Sequence, residues 1–267
     1  MVVEVGAADG RTTRGLLGHE ALSRAEIHTI DVEPEFDESI VPGTFRGAFT
    51  LHRGRSLNHL PLIQAPDLVL IDGDHNWYTV MNELRLLDRG ATAGGWPFPF
   101  VALHDIGWPY GRRDMYYEPD AVPEEHRQPF DTRALHPDSR ELVDHGINAH
   151  LANSIYEHGL RNGVLTAVED FIAESERDLR FLEIPGLHGL GLLAEAQLLK
   201  DRPEVRKLWK AFGDSRPLRR HLGAVERQRL EADAALARSR HGEQQQAKRL
   251  EGVQEELAAG HRRIASV

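Results

Sequence analysis

The sequence contains no cysteine among its 267 residues. This absence excludes a disulfide-stapled secreted scaffold, a thiolate-ligated zinc or iron–sulfur site and a cysteine nucleophile. No apolar run approaches the roughly 18 residues that a membrane span requires, and the first residues lack the basic region and cleavage pattern of a secretory leader. We therefore expect a cytoplasmic protein without a membrane span.

Basic residues are scarce in most of the chain. Residues 1–200 hold 32 acidic and 17 basic side chains, whereas residues 201–267 hold 10 acidic and 15 basic ones. An acidic main body argues against nucleic acid as a partner, because phosphate binding depends on clustered Lys and Arg. The change in charge balance predicts two regions with different roles, residues 1–200 and residues 201–267.

Short apolar runs alternate with helical patterns through the first region. They predict strands at residues 2–6, 26–32, 50–53, 67–72, 98–104, 179–184 and 189–193, with helices at 12–23, 77–89 and 163–176. This alternation predicts an α/β fold with a doubly wound, mostly parallel seven-stranded sheet. Residues 106–150 follow neither period, and an irregular stretch of that length is typically functional or disordered.

The C-terminal region has a different pattern, with no aromatic residue from Pro217 onward. A trial heptad places Leu222, Leu236, Leu250, Leu257 and Ile264 at one seam position and Val225, Ala232 and Val253 at the other. Polar residues interrupt both positions. The pattern predicts either a coiled coil that joins copies of the chain through residues 217–267 or a solvated helical tail.

A strand–glycine–helix turn begins the chain, in the sequence VEVGAADGRTTRGLL. Gly6 and Gly10 let the backbone approach a ligand closely, and the helix beyond them offers free N–H groups. The turn lacks the Lys of a phosphate loop and the middle Gly of the dinucleotide pattern. Asp31 ends the next strand, where an acidic side chain either accepts the ribose hydroxyls of an adenosine moiety or caps the loop.

Together, Glu4, Gly6, Ala8, Gly10 and Asp31 resemble the donor-binding motifs of the class I S-adenosylmethionine-dependent methyltransferases. The resemblance covers about residues 1–195 and strengthens at three later motifs, Asp72-Gly73-Asp74-His75, Gly94-Gly95 and Leu103-His104-Asp105. These motifs are similar to a subgroup that includes antibiotic-sugar O-methyltransferases and cephalosporin-hydroxylase-like proteins.

The resemblance implies S-adenosylmethionine as the methyl donor. Its predicted contacts are Glu4, Gly6, Ala8, Asp9, Gly10, Asp31, Ser56 and Asp72. Ser56 is placed near the adenine, with a plain helix N-cap as its alternative role. Related enzymes have a helix before the first strand, whereas Met1 lies inside that strand here, so we also expect this helix to be missing, with the chain either a fragment or a mis-started reading frame.

Methyl transfer requires a donor and acceptor held in line and a group that removes a proton from the acceptor hydroxyl. The predicted strand ends supply Asp72, Asp74, His75, His104 and Asp105. By resemblance to metal-dependent members, Asp72, His104 and Asp105 bind a divalent cation, Mg²⁺ or Mn²⁺, and Asp74 or His75 is the base. The imidazole of His104 favours Mn²⁺. In the metal-free alternative, His75 or His104 is itself the base.

Aromatic residues are concentrated between Trp96 and Tyr117, where seven occur in 22 residues. Those that follow the fifth strand form either a lid that stacks on a sugar or aromatic acceptor or a structural loop on the sheet edge. The candidate substrate residues are Trp108, Tyr110, Arg112 and Tyr116. Arg112 and Arg113 either bind a phosphate or carboxylate on the acceptor or are solvated.

Three functions from different classes remain open at this point. The leading one is an S-adenosylmethionine-dependent O-methyltransferase acting on a hydroxyl of a sugar or glycosylated small molecule. The second is a non-catalytic scaffold that keeps the donor fold and acts through its coiled coil. The third is a metal-dependent hydrolase or oxygenase using the His-Asp pair, for which the Gly6–Gly10 loop has no obvious purpose.

Overall fold

The structure, a computed structural model, describes residues 1–264. Its strands are β1 (Val2–Val5), β2 (Glu26–Asp31), β3 (Ala48–Arg53), β4 (Leu68–Ile71), β5 (Phe100–His104), β6 (Met115–Tyr116), β7 (Phe130–Asp131), β8 (Ala152–Ser154), β9 (Leu179–Ile184) and β10 (Leu190–Glu195). Its helices are α1 (Arg11–Gly18), α2 (Ser56–His59), α3 (Trp77–Gly94), α4 (Val164–Glu174), α5 (Ala196–Asp201), α6 (Pro203–Gly213) and α7 (Arg216–Ile264). Short 3-10 turns join several of them.

Seven strands form one sheet in the order β3-β2-β1-β4-β5-β10-β9. The first five pair in parallel, and β10 pairs antiparallel with both β5 and β9. The predicted mostly parallel, seven-stranded Rossmann-like sheet is therefore confirmed. The strand order reverses between β1 and β4, and open α/β sheets bind ligands in a crevice at the carboxyl ends of the strands at such a point.

Helix α3 is the main cover of one sheet face. The side chain of Asn76 caps its start by accepting a 2.8 Å hydrogen bond from the N–H of Thr79, and Gly95, at φ 72°, ends it in the left-handed conformation. Helical spacing places Val80 and Leu84 against the central strands, where both are fully buried. The other face is covered around α1, by a separate apolar cluster that includes Leu17.

Residues 106–162, here called the cover, pack over the carboxyl end of the sheet as a small layer of their own. Strands β6, β8 and β7 form a three-stranded antiparallel sheet within it. Arg113 is 0% exposed and donates to the carbonyls of Ser154, Ile155 and Arg140. The expectation that Arg113 binds the acceptor is therefore wrong, because its guanidinium is enclosed and occupied by main-chain carbonyls.

Helix α7 runs from Arg216 to Ile264 and packs its first half on the body of the protein. Leu230 and Ala234 are buried there, whereas Val225, Leu236 and Leu250 of the predicted seam are exposed. For Val253, Leu257 and Ile264 the structure describes the helix but not the side chains, so the coiled coil stays a prediction. Among the helices of residues 1–264, none is both long and apolar enough to cross a membrane.

Candidate active site

The loop after β1 lies directly against the loop after β4. Gly6, Ala8 and Gly10 have φ angles of 82°, 44° and 75°, in the left-handed region that glycine adopts at least cost. A Cβ atom on Gly6 would lie 2.2 Å from the carbonyl oxygen of Asp72. Gly6 is therefore required for the close approach of the two loops that bound the crevice.

Glu4 lies on β1, just before this loop. It is buried, and its Oε2 accepts hydrogen bonds of 2.6 Å from the hydroxyl of Thr13 and 2.9 Å from that of Thr29. Burial raises the pKa of Glu4 above its usual value. Its Oε1 atom is buried and has no hydrogen-bond partner among the described residues. A donor contact of Glu4 stays a prediction.

Asp31 holds the same loop from the side. One carboxylate oxygen accepts the N–H groups of Ala7 and Ala8 at 2.7 and 2.9 Å, and the other accepts the N–H of Glu33 at 2.8 Å. The loop-capping role is thus present in the structure, and ribose binding stays a prediction. Asp9 is exposed and accepts the N–H of Arg11 at 3.1 Å.

Ser56 begins α2 at the edge of the crevice, and its hydroxyl lies 2.5 Å from Oε1 of Glu83. Glu83 is fully buried on α3, and burial raises its pKa to about 8. Glu83 is therefore mostly a neutral carboxylic acid at pH 7. Sequence reasoning did not single out Glu83, because the helical pattern alone gives no reason to place a charged residue in the core.

The substitution Glu83→Gln is expected to change how stability depends on pH. A carboxyl whose pKa is raised in the folded chain contributes stability below its unfolded value of 4.5, and that contribution is lost as the pH rises to about 8. The loss amounts to about 5 kcal/mol. Urea unfolding should therefore show the wild type weakening relative to Glu83→Gln between these pH values. The control Glu176→Gln, at an exposed position, should follow the wild type, and parallel curves for all three proteins would contradict the assignment.

Four charged groups meet at the carboxyl ends of β4 and β5. His104 Nδ1 lies 3.0 Å from Oδ1 of Asp72 and 2.9 Å from Oδ2 of Asp105. His75 Nε2 lies 3.2 Å from the same Asp105 oxygen and 3.6 Å from Asp72. The His75 contacts are ion pairs without hydrogen-bond geometry, and neither ring nitrogen has a hydrogen-bond partner among the described residues.

These contacts shift the charge states of the cluster. Hydrogen bonds to Asp105 and Asp72 raise the pKa of His104 to about 10. For Asp72, burial acts in the opposite direction but is outweighed by His104 and His75, and the pKa falls to about 2. Burial opposes the shifts at His75 and Asp105 as well; the carboxylates still raise the pKa of His75, and the imidazoles still lower that of Asp105. The shifts favour the imidazolium form of the two histidines and the carboxylate form of the two aspartates.

The cluster is also a fitting site for a divalent cation. One ligand atom from each of Asp72, His75 and Asp105 lies within 4.8 Å of the others, and carboxylate oxygen with imidazole nitrogen suits Mn²⁺, Zn²⁺ or Fe²⁺ better than Mg²⁺. The unpartnered nitrogens of His75 agree with such a role. The metal ligands predicted from sequence were Asp72, His104 and Asp105, with His104 in place of His75. In the structure, Nδ1 of His104 also faces the carboxylates of Asp72 and Asp105.

The remaining candidate base, Asp74, lies beside this cluster. Its Oδ2 accepts a 3.2 Å hydrogen bond from the hydroxyl of Thr79 in the first turn of α3. Burial raises its pKa, and the charge of Glu118 adds to that effect. Asp74 is therefore a better proton acceptor at neutral pH than an ordinary aspartate.

The candidate substrate residues have mainly structural contacts. Tyr116 is 1% exposed, and its hydroxyl donates to Asp114 and accepts from the N–H of Gln128. Arg112 is paired with the carboxylate of Glu169 on α4 through two hydrogen bonds, of 2.5 and 2.7 Å. The expectation of acceptor contact is corrected for Tyr116, because no part of its ring is free, and Arg112 is not free for an anion while this pair persists.

Tyr110 and Trp108 lie closer to the charged cluster. Tyr110 is buried and stacks on the ring of His75 at a centroid distance of 5.5 Å, and its hydroxyl bonds with Asn148 and Asn153. Trp108 is partly buried in the same apolar cluster of the cover. Tyr110 therefore contacts the site through the face of its ring, which orients His75.

Tyr117 was not among the candidate substrate residues predicted from sequence, although it belongs to the same aromatic run. Its side chain is 57% exposed, and its ring centroid lies 5.9 Å from that of His75. Partial burial and the charges of Asp105, Asp72, Asp74 and Asp31 raise its pKa to about 12. Tyr117 thus lies at the exposed side of the charged cluster.

Comparison with known proteins supports the assignment of residues 3–106. Residues 3–106 match the family model of a methyltransferase domain. This match confirms the predicted enzyme class, methyltransferase, and it ends just beyond Asp105. It does not identify the subgroup.

Two solved structures illustrate more distant similarity. The SAH-bound methyltransferase PaMTH1 of Podospora anserina is 16% identical, with 73% of this chain and 70% of that chain covered and a TM-score of 0.42. The MycE methyltransferase of the mycinamycin biosynthetic pathway, in complex with Mg, SAH and mycinamycin VI, is 17% identical, with 59% of this chain and 44% of that chain covered and a TM-score of 0.29. No curated protein matched the sequence.

Proposed function

We propose that the protein is an S-adenosylmethionine-dependent O-methyltransferase that methylates a hydroxyl of a sugar or glycosylated small molecule. The observation that carries the proposal is the meeting of Asp72, His75, His104 and Asp105 beside the glycine loop of a methyltransferase domain. A donor loop and a proton-accepting, cation-compatible cluster at one crevice are what this reaction requires.

The donor would lie across the loop after β1. The main chain of residues 6–10 would pack against the donor, and the carboxylate of Asp31 would accept its ribose hydroxyls, with Ser56 near the adenine. When bound, S-adenosylmethionine supplies a methyl group on a positively charged sulfur. The acidic surroundings of this crevice, which include Asp31 and Asp72, favour that charge.

The acceptor hydroxyl must lose its proton as its oxygen forms the new bond to the methyl carbon, while the bond from that carbon to sulfur breaks and leaves a neutral thioether. We assign the proton to Asp74, whose raised pKa suits it to this role. His104 is mostly imidazolium at neutral pH and favours negative charge on the acceptor oxygen instead. A divalent cation held by Asp72, His75 and Asp105 would supply the same stabilisation.

Tyr117 is the side chain that we propose to contact the acceptor. It is the exposed aromatic residue beside the cluster, and aromatic faces pack well against sugar rings. Next to Tyr117 in the chain, Glu118 forms a 2.5 Å ion pair with Arg55, which joins the cover to the segment after β3. A homo-oligomer through the exposed seam of α7 is a further part of the proposal.

Isothermal titration with S-adenosylhomocysteine tests the donor site directly. The wild-type chain should bind it, and Asp31→Asn should bind at least about tenfold more weakly, because an amide accepts fewer hydrogen bonds than a carboxylate and has no charge. The neighbouring control Glu33→Gln, at an exposed position, should retain wild-type affinity. Absence of binding by the wild type would refute the proposal.

A further inference from the structure

Helix α7 reaches the candidate active site through the turn between β9 and β10. The carboxylate of Glu226 accepts the N–H groups of Leu187 and His188, both at 2.8 Å. These two residues have φ angles of 48° and 68°, a left-handed conformation that a non-glycine residue adopts only when its surroundings impose it. Glu226 therefore holds the turn in a conformation that its own sequence does not favour.

Arg229 keeps Glu226 charged and in place. Its guanidinium donates to both carboxylate oxygens of Glu226, at 2.7 and 2.9 Å, and this bond lowers the pKa of Glu226 to about 2. A second ion pair, of 2.7 Å to Asp233, fixes the guanidinium on α7. The pair is thus a preorganised acceptor for the two N–H groups of the turn.

The turn between β9 and β10 also holds the main chain that follows β5. The carbonyl of His188 accepts the N–H of Gly107 at 2.6 Å, and its Nδ1 lies 3.1 Å from the carbonyl of Trp108. Because a carbonyl only accepts, Nδ1 carries the proton, and Nε2 accepts from Arg229 at 3.2 Å. The same ring meets His104 edge-on, with centroids 6.3 Å apart.

We propose that Glu226 and Arg229 are positioning residues of the active site, acting through His188 on the ring of His104 and on the main chain after Asp105. Asp105 itself has a φ of 57°, so its orientation also depends on imposed contacts. The proposal deepens the function proposed above, on which the role of the cluster rests. It makes the first half of α7 a part of the catalytic domain, whereas the sequence suggested a separate tail.

Imidazole nitrogen chemical shifts of His104, measured by NMR at one fixed pH, provide the test. Glu226→Ala and Arg229→Met should both move them, because the ring loses its fixed position against Asp72 and Asp105. Glu226→Gln keeps one accepting oxygen and should restore part of the difference. Glu231→Gln removes the same charge from an exposed position one turn further along α7, and its His104 shifts should equal those of the wild type.

Amide hydrogen exchange supplies a second measurement. The N–H of Gly107 should exchange at least about tenfold faster in Glu226→Ala than in Glu231→Gln, since its acceptor is released. Unchanged His104 shifts in folded Glu226→Ala and Arg229→Met proteins would overturn the proposal. Titration of the same variants with S-adenosylhomocysteine separates the two claims: a wild type that binds no donor refutes the methyltransferase proposal, whereas the positioning role is decided by His104.

Discussion

Replacing Asp114 by alanine is expected to destabilise the protein by about 4 kcal/mol, because it removes three buried hydrogen bonds at once. One oxygen of the Asp114 carboxylate accepts the N–H of Trp77 at 2.7 Å and that of Gly163 at 2.6 Å. The other accepts the hydroxyl of Tyr116 at 2.9 Å. The substitution leaves the N–H groups of Trp77, at the start of α3, and of Gly163, just before α4, without an acceptor, and the cover loses one of its attachments to each helix.

Urea unfolding followed by circular dichroism measures this loss. The control is Asp120→Ala, in the same cover, where a fully exposed carboxylate pairs with Arg127 at 3.0 Å; exposed pairs of this kind contribute well under about 1 kcal/mol. Asp114→Asn keeps one accepting oxygen and should fall between the two. Equal costs for Asp114→Ala and Asp120→Ala would show that the buried network contributes no more to stability than a surface pair does.

The cover shows which part of the fold was not predictable from sequence. Central strands of the parallel sheet, such as residues 26–32 and 67–72, were predicted because they are apolar runs, and such runs need only local sequence to be recognised. Arg113 and Asp114 have the composition of a surface loop. They are buried because their partners come from distant positions, such as the carbonyl of Ser154, and no local pattern encodes that pairing.

In the site, too, some residues were predictable from local sequence and others were not. Asp72, His104 and Asp105 were expected to lie together because parallel strands end at one edge of the sheet, and they do. His188 was missed because it enters from the antiparallel β9–β10 turn, whose position depends on strand order. The side of α7 that packs on the body was also missed: the heptad favoured Val225 and Leu236, whereas Leu230 and Ala234 are buried.

Asp105→Asn is expected to lower kcat for methyl transfer by about 10³-fold while leaving the affinity for S-adenosylhomocysteine within about twofold of the wild type. The residue has a φ of 57°, which asparagine tolerates and alanine does not, so this variant preserves the backbone. It removes the negative charge that faces both His75 and His104 at 3.2 and 2.9 Å. The cluster then loses the group that orients both imidazoles and contributes an oxygen ligand to the proposed cation site.

Transfer of labelled methyl groups from S-adenosylmethionine to a panel of sugars and glycosylated compounds identifies the acceptor and then measures this effect. Asp67→Asn is the matched control, because Asp67 precedes β4 at the opposite edge of the sheet and is largely exposed; its turnover should equal that of the wild type. The domain match does not identify the residues that perform the chemistry. Loss of turnover with retained donor binding in Asp105→Asn therefore separates an enzyme that uses the charged cluster from a scaffold, and full turnover in this variant would place the chemistry elsewhere. A parallel loss of donor affinity would instead show that Asp105 maintains the crevice itself.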